Sequence, residues 1–395
     1  MVQKKASLGN VSSLVSSIDV SPIKKMELLA RKMPDAVSLA QGIPSFETPE
    51  HIKEGAKKAI GDNLCNRYTP GFGIDPLREA ICAKLARDNG IKAEPEQVIV
   101  THGAIQALMV IFTALLDDND ELIIISPDYA THITQATIAG RGRRPVLVRL
   151  NESRGWEFDA EEMRKAITSK TKAILLCNPS NPTGKVYSRD ELKEIAAIAK
   201  EHNLYIIVDE MYEYFTFDGK EHVSIGSFPE VAEQTISVFG VSKSYAMTGW
   251  RIGYLVAVRE LAYEIFKVQD SFITCPAAVS QYAAIEAITG PQDCVQYFKG
   301  EFEKRRAIVT EALKSTDRFS LVNPQGAYYA FLKMNFPGDD FEFAKRLLAE
   351  GHVAAIPGSA FGSGGEGHLR ISFGVTEERL REGMKRLISY AAGIK

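Results

Sequence analysis

Three groups of polar residues in the sequence each follow a short apolar run. Tyr205-Ile-Ile-Val-Asp209 ends in a carboxylate, and Tyr212 follows in the same segment. Lys243 comes shortly after the run Thr235–Phe239, and Asn181 lies in a Cys-Asn-Pro-Ser-Asn-Pro-Thr-Gly segment after a third run. In open α/β sheets the ligand crevice lies beyond the carboxyl ends of the strands. If these runs are strands of one such sheet, their polar side chains meet at one site suited to proton transfer and polar binding.

Each of these groups also has an ordinary structural interpretation. An aspartate after a strand usually caps a helix, Asn-Pro-Thr-Gly is good turn chemistry, and most lysines are solvated surface charges. Lys243, however, stands between a strand and the semi-apolar run Ala246–Trp250, which is a poor setting for a solvated charge. The coincidence of all three groups at strand ends favours a functional site over three unrelated turns.

The elements that would position these residues alternate along the chain between about residues 51 and 285. Most of the apolar runs are apolar on both faces, which is typical of parallel strands covered by helices. The predicted strands are Gln97–Thr101, Glu121–Ser126, Pro145–Leu150, Ala173–Cys177, Tyr205–Val208 and Thr235–Phe239, and the predicted helices between them are Ile105–Leu115, Asp159–Ile167 and Asp190–Glu201. This pattern predicts an α/β fold, a mostly parallel sheet with helices on both faces.

The last hundred residues have a different pattern. A helix pair precedes short strands and two further helices, which we expect at Pro276–Ile288, Gln292–Lys314, Tyr328–Lys333, Phe341–Glu350, Val353–Ile356, Leu369–Phe373 and Glu377–Ala392. We therefore predict two domains: a large α/β domain of residues 46–289, and a smaller α+β domain formed by residues 1–45 and 290–395.

Composition excludes several classes of protein. With 45% hydrophobic and 25% charged residues, the 395-residue sequence is that of an ordinary globular protein rather than a disordered or coiled-coil one. Its 47 basic and 50 acidic residues give a formal charge of −3, so neither nucleic acid nor a membrane is an expected partner. Apolar runs such as Ala107–Leu116 fall short of the ~20 residues of a membrane-spanning helix. The N-terminal stretch makes a poor signal peptide, and we expect a cytoplasmic protein.

Other familiar motifs are absent or lack their context. The five cysteines form no C-x-x-C pair, which indicates free thiols, and the seven histidines show no metal-binding spacing, so we expect no metal site. The segment Gly362–Gly367 matches G-x-G-x-x-G, but a strand-like segment rather than a helix follows it, so it is not expected to bind a dinucleotide.

Taken together, these residues resemble the class I and II aminotransferase family of fold-type-I pyridoxal-phosphate enzymes. The resemblance covers nearly the whole chain and is carried by the segments Gln41–Pro49, Tyr68–Arg78, Asn181–Gly184, Asp209–Tyr212, Ser242–Gly253 and Leu369–Phe373. It implies pyridoxal 5'-phosphate as the cofactor. The motifs look most like the aspartate/aromatic branch of the family.

The resemblance implies roles for residues around the cofactor ring. Lys243 would form the internal aldimine with the cofactor aldehyde and later move a proton, which requires a lowered pKa. Asp209 would keep the ring nitrogen protonated, so that the ring acts as an electron sink. Tyr212 and Asn181 match the donors to the ring hydroxyl oxygen, and Tyr129 matches the aromatic residue that stacks on the ring.

The resemblance also implies the groups that bind the cofactor phosphate. A helix N-terminus would supply backbone amides there, from Gly103, Ala104 and Ile105. Arg251 resembles the phosphate-binding arginine of the family, and Ser242 would add a hydroxyl. Gly240 stands where some relatives carry a serine, which puts one phosphate contact in doubt.

Substrate binding and assembly are implied by the remaining matches. Arg370 matches the arginine that holds the substrate α-carboxylate, for which a planar bidentate fork suits better than lysine. Gly42 and Asn181 would approach the same carboxylate. Tyr68 resembles a residue that reaches the cofactor phosphate of the neighbouring subunit. The expected assembly is therefore a homodimer with shared active sites.

The activity that the resemblance implies is transfer of an amino group. The donor would be an L-amino acid, most simply of the aspartate or aromatic type, and the acceptor a 2-oxo acid such as 2-oxoglutarate. A pyridoxal-phosphate lyase, or another enzyme acting at the α-carbon on the same fold, is the alternative. A transcription regulator that borrows the fold would need a DNA-binding domain, for which the stretch before Gln41 is too short.

The sequence says least about the substrate side chain. A dicarboxylate substrate favours a second cationic group, and the segment Gly103–Gln135 contains no lysine or arginine to supply it. Proximity to the motifs suggests Ile43, Ser45, His132 and Phe361 as residues that line the side-chain pocket.

Overall fold

The computed structural model describes residues 11–394 of the chain. Its strands are β1 Val37–Ser38, β2 Val98–Thr101, β3 Glu121–Ser126, β4 Val146–Arg149, β5 Thr171–Cys177, β6 Tyr205–Asp209, β7 Thr235–Gly240, β8 Gly253–Val256, β9 Phe319–Leu321, β10 Tyr329–Met334, β11 Val353–Ala354, β12 Ile356–Pro357 and β13 His368–Ser372. Every strand that the sequence predicted in the central region is present, within one or two residues at its ends.

The helices are α1 Ser13–Ser17, α2 Pro22–Ala30, α3 Glu50–Gly61, α4 Asp75–Lys84, α5 Ala104–Leu115, α6 Ala130–Ala139, α7 Ala160–Ala166, α8 Arg189–Glu201, α9 Arg259–Phe272, α10 Ala278–Thr289, α11 Asp293–Leu313, α12 Asp340–Gly351 and α13 Glu377–Ala392. Local sequence explains several of their ends. In α8, for example, the hydroxyl of Ser188 accepts from the amide of Glu191 at 3.2 Å, and the Glu191 carboxylate accepts from the amide of Ser188 at 2.9 Å. This reciprocal capping box fixes where the helix begins.

Seven strands of the described chain form the central sheet, in the order β2-β8-β7-β6-β5-β3-β4. All neighbouring pairs are parallel except those of β8, which runs antiparallel to both β2 and β7. The predicted mostly parallel α/β sheet is therefore confirmed. The sequence analysis did not identify β8, whose four residues follow directly on the segment containing Lys243 and Arg251.

Helices cover both faces of this sheet. Ile206 and Val208 of β6 belong to the same core as Leu192 of α8, whereas Ile207 between them belongs to a core with Ile111 of α5. Successive side chains of a strand point to opposite faces, so both faces of β6 are buried. The uninterrupted apolar runs in the sequence follow from this double burial.

The C-terminal part of the chain contributes two smaller sheets. One is antiparallel, in the order β12-β13-β10-β9, and in the other β1 pairs with β11 in parallel, with Val37 opposite Val353. The prediction of one strand over Val353–Ile356 is wrong. The chain leaves the β1 partner after Ala354 and joins β13 at Ile356, so two short strands serve two sheets.

Three further features complete the description. The segment Gly362–Gly367 leads into strand β13 rather than into a helix, as its sequence context indicated. All five cysteines are free thiols. Within residues 11–394, no helix combines the length and apolar character that crossing a bilayer requires.

Candidate active site

The three polar groups singled out in the sequence lie at one edge of the central sheet. Asp209 is the last residue of β6 and stands opposite Cys177, the last residue of β5. Lys243 follows β7, the other neighbour of β6. A cavity of about 730 Å³ lies beyond these strand ends. Of the predicted site residues, those that line it are Gly42, Ala104, Ile105, Tyr129, Asn181, Asp209, Tyr212, Ser242, Lys243, Arg251 and Arg370.

Two predicted residues do not line this cavity. Gly103 lies behind Arg251, where a Cβ would collide with the guanidinium, and its φ of +82° suits glycine. Tyr68 is 85% exposed and does not reach the cavity of its own chain. The structure of one chain therefore brings all predicted ring and carboxylate groups together but leaves Tyr68 outside.

Lys243 sits in the cavity without a carboxylate against it. Its Nζ donates to the carbonyl oxygen of Gly42 at 2.7 Å. Among residues 11–394 it forms no ion pair. Burial, and then the positive charges of Arg251 and Arg370, lower the pKa of Lys243 to about 8, although the charge of Asp209 acts in the opposite direction. At pH 7 about a tenth of this amine is therefore neutral and nucleophilic.

Asp209 ends a buried chain of three charged groups. Nε2 of His132 lies 3.2 Å from a carboxylate oxygen of Asp209, and Nδ1 of His132 lies 2.7 Å from Asp128. Burial alone would lower the pKa of His132, but the two carboxylates outweigh it and raise that pKa well above its ordinary value. The imidazolium between them therefore holds the Asp209 carboxylate in place.

From the sequence, His132 is expected only as a pocket residue, and Asp128 has no expected role. Both lie on the segment after β3, where Ser-Pro-Asp-Tyr leads into helix α6. Asp128 directly precedes Tyr129, the N-cap of α6, and His132 lies in the first turn of that helix, four residues later. This spacing is the signal in the sequence that could have indicated the pair.

Tyr212 is buried beside Tyr329, the first residue of β10, and Tyr328, which directly precedes that strand. Its hydroxyl lies 2.7 Å from the hydroxyl of Tyr329, and the hydroxyl of Tyr328 donates to the carbonyl of Gly42 at 2.9 Å. Burial raises the pKa of all three phenols, so they remain protonated donors at physiological pH. The sequence analysis identified Tyr212 but neither Tyr328 nor Tyr329.

Arg370 is a buried cation at the other side of the cavity, on β13. It is 1% exposed, and one of its nitrogens donates to Asn181 Oδ1 at 3.3 Å while another donates to the carbonyl of Ala40. Within the described residues it forms no ion pair, and its Nε has no hydrogen-bond partner. A guanidinium held by neutral oxygens keeps its full charge for an anionic ligand.

The opposite end of the cavity has the properties of an anion site. Helix α5 begins at Ala104, and its unsatisfied amides and dipole face this end. Ser242 and Arg251 line the cavity, and the guanidinium of Arg251 lies against Gly103 at the start of α5. Among residues 11–394, Arg251 Nη1 donates only to the carbonyl of Thr248, at 2.8 Å. At Gly240, a Cβ would lie 2.9 Å from the sulfur of Met211, so Met211 occupies the space that a side chain there would need.

The mouth of the cavity mixes apolar and charged residues. Ile43 and His132 line the cavity as suggested, but Ser45 and Phe361 do not. Ser45 instead accepts a hydrogen bond from Arg305 at 2.9 Å, and Phe361 is fully buried beneath the guanidinium of Arg370, 5.2 Å from it. These two side chains support the walls rather than form them.

Helix α2 supplies the charged residues at the mouth. Lys24 and Arg31 both line the cavity, and both pair with the carboxylate of Glu27, at 2.9 Å and 2.5 Å. In contrast to Lys243, Arg251 and Arg370, these cations are already neutralised in part.

Comparison with known proteins decides which family combines these features. Residues 34–387 match the family model for aminotransferase class I and II. The chain belongs to this family. It is 38% identical to an aspartate aminotransferase of Pyrococcus abyssi and to aromatic-amino-acid aminotransferase 2 of Thermococcus litoralis, each over 95% of this chain and 97% of the relative.

Solved structures of aminotransferases have the same fold. An aspartate aminotransferase from Thermus thermophilus with maleate is 36% identical and superimposes with a TM-score of 0.91, covering 96% of this chain and 99% of that one. An aromatic aminotransferase from Pyrococcus horikoshii is 37% identical with a TM-score of 0.87, covering 92% and 98%. The predicted fold type and enzyme class are thus confirmed: this is a pyridoxal-phosphate-dependent aminotransferase.

The donor set of this aminotransferase fits pyridoxal phosphate. The cofactor needs an amine for its aldehyde, a carboxylate for its ring nitrogen and an anion site for its phosphate. The cavity offers one amine with a lowered pKa, one carboxylate held by an imidazolium, and a helix N-terminus flanked by an arginine free of any ion pair among residues 11–394. Each requirement is met by a separate group, at separate parts of one cavity.

Proposed function

We propose that this aminotransferase transfers the amino group of an L-amino acid, of the aspartate or aromatic type, to a 2-oxo acid such as 2-oxoglutarate. The observation that carries the proposal is the set of three cations, Lys243, Arg251 and Arg370, that line one cavity and form no ion pair among residues 11–394. Their charges suit a phosphate and a carboxylate. The names of the relatives, aspartate and aromatic aminotransferases, support the donor class.

Lys243 is the proposed catalytic residue. Pyridoxal phosphate supplies an aldehyde and a ring that accepts electrons from the substrate α-carbon. The amine of Lys243 would hold the cofactor through that aldehyde and would accept the proton from the substrate α-carbon. Its pKa of about 8 supports both steps, because the amine is partly neutral near pH 7 and still basic enough to accept a proton.

Asp209 is proposed to pair with the protonated ring nitrogen. The imidazolium of His132, 3.2 Å away, orients the Asp209 carboxylate, and Asp128 orients His132 in turn. We assign His132 and Asp128 as positioning residues, because they act on the cofactor only through Asp209.

Other residues of the cavity are proposed to fix the position of the cofactor. We propose that Tyr212 and Asn181 donate to the ring hydroxyl oxygen and that Tyr129 stacks on the ring. The phosphate is assigned to the N-terminus of α5 with two side chains, that is, to Gly103, Ala104, Ile105, Ser242 and Arg251. The neutral phenol of Tyr212 supports the first assignment, since only a protonated hydroxyl can donate.

The substrate α-carboxylate is assigned to Arg370, with Asn181 and the backbone of Gly42 beside it. The buried, neutral surroundings of Arg370 favour a bidentate pair with a carboxylate over binding of water. Asn181 Oδ1 accepts from Arg370, so its amide nitrogen is left to donate to the ligand.

The active enzyme is proposed to be a homodimer with shared active sites. Tyr68 supports this assembly because it resembles the family residue that reaches the cofactor phosphate of the neighbouring subunit, and it is 85% exposed and outside its own cavity. In a dimer it would reach the phosphate of the neighbouring subunit. We further propose a cytoplasmic location.

We propose that the chain divides into a large domain of residues 46–289 and a small domain of residues 1–45 and 290–395. The parallel pairing of β1 with β11 supports the division, because it ties the N-terminal segment to the C-terminal part of the chain. Arg370 would then belong to the small domain and Lys243 to the large one.

A half-reaction experiment tests the function. The cofactor-loaded enzyme is mixed with aspartate, glutamate, alanine, phenylalanine, tyrosine, leucine or lysine, without a 2-oxo acid. We expect aspartate or an aromatic amino acid to convert the cofactor to its amine form fastest, with release of one 2-oxo acid per site. Loss of carbon dioxide or cleavage of the side chain in place of 2-oxo acid release would contradict the proposal.

A further inference from the structure

Tyr329 has no role in the assignments above, although it lies inside the cavity. It is the first residue of β10, lines the cavity and is 2% exposed. β10 pairs with β13, the strand that carries Arg370, and Phe331 stands directly opposite Arg370 in that pair. Tyr329 is therefore a diagonal neighbour of Arg370 across the two strands.

The hydroxyl of Tyr329 contacts the proposed ring-oxygen donor. It lies 2.7 Å from the hydroxyl of Tyr212, and the two rings meet edge to face with their centroids 5.6 Å apart. Tyr212 can give its single proton to only one acceptor. If that acceptor is the cofactor, the proton between the two phenols comes from Tyr329, so that Tyr329 donates and Tyr212 accepts.

The ring of Tyr329 contacts the carboxylate-binding group. The guanidinium carbon of Arg370 lies 4.5 Å from the ring centroid of Tyr329, closer than its 5.2 Å to Phe361. An aromatic face stabilises a cation at this distance and fixes the plane of the guanidinium. The same tyrosine also packs against the backbone of the N-terminal loop at Gly42, where a Cβ would collide with the Tyr329 hydroxyl.

We propose that Tyr329 is a positioning residue that connects the substrate-carboxylate site to the cofactor-ring site. Its hydroxyl donates to Tyr212 and strengthens Tyr212 as a donor to the ring oxygen, while its ring holds Arg370 in the plane that receives the carboxylate. The hydroxyl of Tyr329 makes the contact with Tyr212, and its ring makes the contact with Arg370. Substitutions that remove the hydroxyl alone or the whole ring therefore separate the two contacts. The proposal rests on the roles proposed above for Tyr212 and Arg370.

Replacement of the hydroxyl alone tests the first contact. In Tyr329→Phe, Tyr212 loses a donor and becomes a weaker donor itself. It would then stabilise a negative charge on the ring oxygen less, and the nitrogen of Lys243, when joined to the cofactor, would hold its proton more tightly. We expect the pH midpoint of the visible absorbance change of the cofactor-loaded enzyme to rise by roughly 0.5 pH units, the size of one ordinary hydrogen bond. The KM of the amino donor is expected to stay within about twofold, because the ring remains under Arg370.

Replacement of the whole ring tests the second contact. In Tyr329→Leu, Arg370 loses its aromatic support, and we expect the KM of the amino donor to rise about tenfold above that of Tyr329→Phe. The absorbance midpoint is expected to match that of Tyr329→Phe, since both variants lack the hydroxyl. A role in packing alone would not produce this division between KM and absorbance.

Tyr187→Phe is the matched control. Tyr187 is as buried as Tyr329 but lies outside the cavity, so its loss of a hydroxyl should leave both the midpoint and the KM unchanged. An unchanged or lowered midpoint in Tyr329→Phe, or an equal shift in Tyr187→Phe, would overturn the proposal. These spectra are independent of the substrate panel: an enzyme that transaminates no donor would refute the proposed function, while the midpoints would still test the hydroxyl contact.

Discussion

The turn that follows β6 has two faces with opposite electrostatic character. Asp209 and Tyr212 line the cavity, where Lys243, Arg251 and Arg370 have no carboxylate partners among residues 11–394. Glu210 and Glu213, from the same turn, are buried on the other side in a network of ion pairs and hydrogen bonds. Residues 209–213 thus contribute both to the cavity and to a buried polar network on the opposite side.

The rear face is a continuous network of ion pairs and hydrogen bonds. Nζ of Lys84, 1% exposed, contacts both oxygens of the Glu213 carboxylate, at 2.6 Å and 2.5 Å, and Asn89 Oδ1 at 2.8 Å. Asn89 in turn donates to Glu213 and to Ser224, and Ser224 donates to Glu210 at 2.5 Å. The Lys84 amine also lies over the ring of Phe239, 4.5 Å from its centroid.

The two faces differ in whether their positive charges can bind an anionic ligand. On the rear face the cation is neutralised by a carboxylate, which makes the turn rigid but leaves no charge for a ligand. On the cavity face Lys243, Arg251 and Arg370 are held by neutral oxygens, at a cost in folding stability, and this leaves them for a phosphate and a carboxylate. Substitutions on the two faces should therefore affect different properties.

The largest effect is expected from Lys243→Ala. Loss of the amine removes both the bond to the cofactor aldehyde and the proton-transfer group, so kcat should fall by at least about 10⁴-fold. The apoenzyme should be no less stable than the wild type at pH 7. Burial and two neighbouring arginines lower the pKa of Lys243 to about 8, so its charge opposes folding below that pH.

Steady-state rates and thermal unfolding of the two apoenzymes check both parts. Substantial activity in Lys243→Ala would remove Lys243 from the catalytic role. A clear loss of stability would show that the cavity face, like the rear face, contributes to folding, and the contrast between the faces would fail.

The next effect is on stability, from Lys84→Met. Glu213 would be left buried without its cation, which costs about 3–5 kcal/mol of unfolding free energy. The double variant Lys84→Met/Glu213→Gln should recover more than half of that loss, because no uncompensated charge remains. Lys314→Met, which removes an exposed partner of Glu311, is the control and should change little.

Urea unfolding of the apoenzymes measures these differences. A double variant as unstable as Lys84→Met would mean that the packing of the Lys84 side chain, rather than the uncompensated charge of Glu213, determines the loss of unfolding free energy. In that case the rear face would be an ordinary core and not a charge-neutralised anchor.

A smaller effect on activity is expected from Arg370→Lys. The charge remains, but the planar fork and its contact with Tyr329 are lost, so kcat/KM should fall about 10²-fold, mainly through KM. Stability should change much less than in Lys84→Met, since Arg370 forms no ion pair within residues 11–394. Equal KM values for Arg370→Lys and the wild type would place the substrate carboxylate elsewhere.

The sequence predicted the cavity face far better than the rear face. Asp209, Asn181 and Lys243 could be identified because each follows an apolar run, and strands of one sheet bring their carboxyl ends together. The strands themselves were predictable because burial on both faces leaves an uninterrupted apolar pattern.

The rear network could not be predicted in this way. Lys84 and Glu213 are 129 residues apart, and nothing in the local pattern around either shows that they meet. Tyr329 lies on a strand that was expected, but its partner Tyr212 comes from a distant turn, and the direction of its side chain depends on the pairing with β13. The division of Val353–Ile356 into two strands likewise depends on two partners that sequence pattern alone does not reveal. The role of Tyr68 stays a prediction.

The last effect is a pH dependence of stability from His132, which joins the cavity face to buried carboxylates. Asp128 and Asp209 raise its pKa in the folded state, against the opposing effect of burial. A group whose pKa is raised on folding stabilises fully below its unfolded-state pKa of about 6.5 and loses that contribution as pH rises through the folded-state pKa. We therefore compare the unfolding free energy of the wild-type apoenzyme with that of His132→Asn. The difference should be largest near pH 6 and decrease steadily towards pH 10.

Urea unfolding at pH 6, 8 and 9.5 measures this difference, with the surface variant His202→Asn as the control for loss of an imidazole. A difference that is constant across this range would mean that His132 is neutral between the two carboxylates and binds them only through its hydrogen bonds. Asp209 would then face the ring nitrogen without a neighbouring positive charge, and Asp128 would hold a proton of its own. The decrease with pH is expected because two buried carboxylates on one imidazole favour its cation over either neutral form.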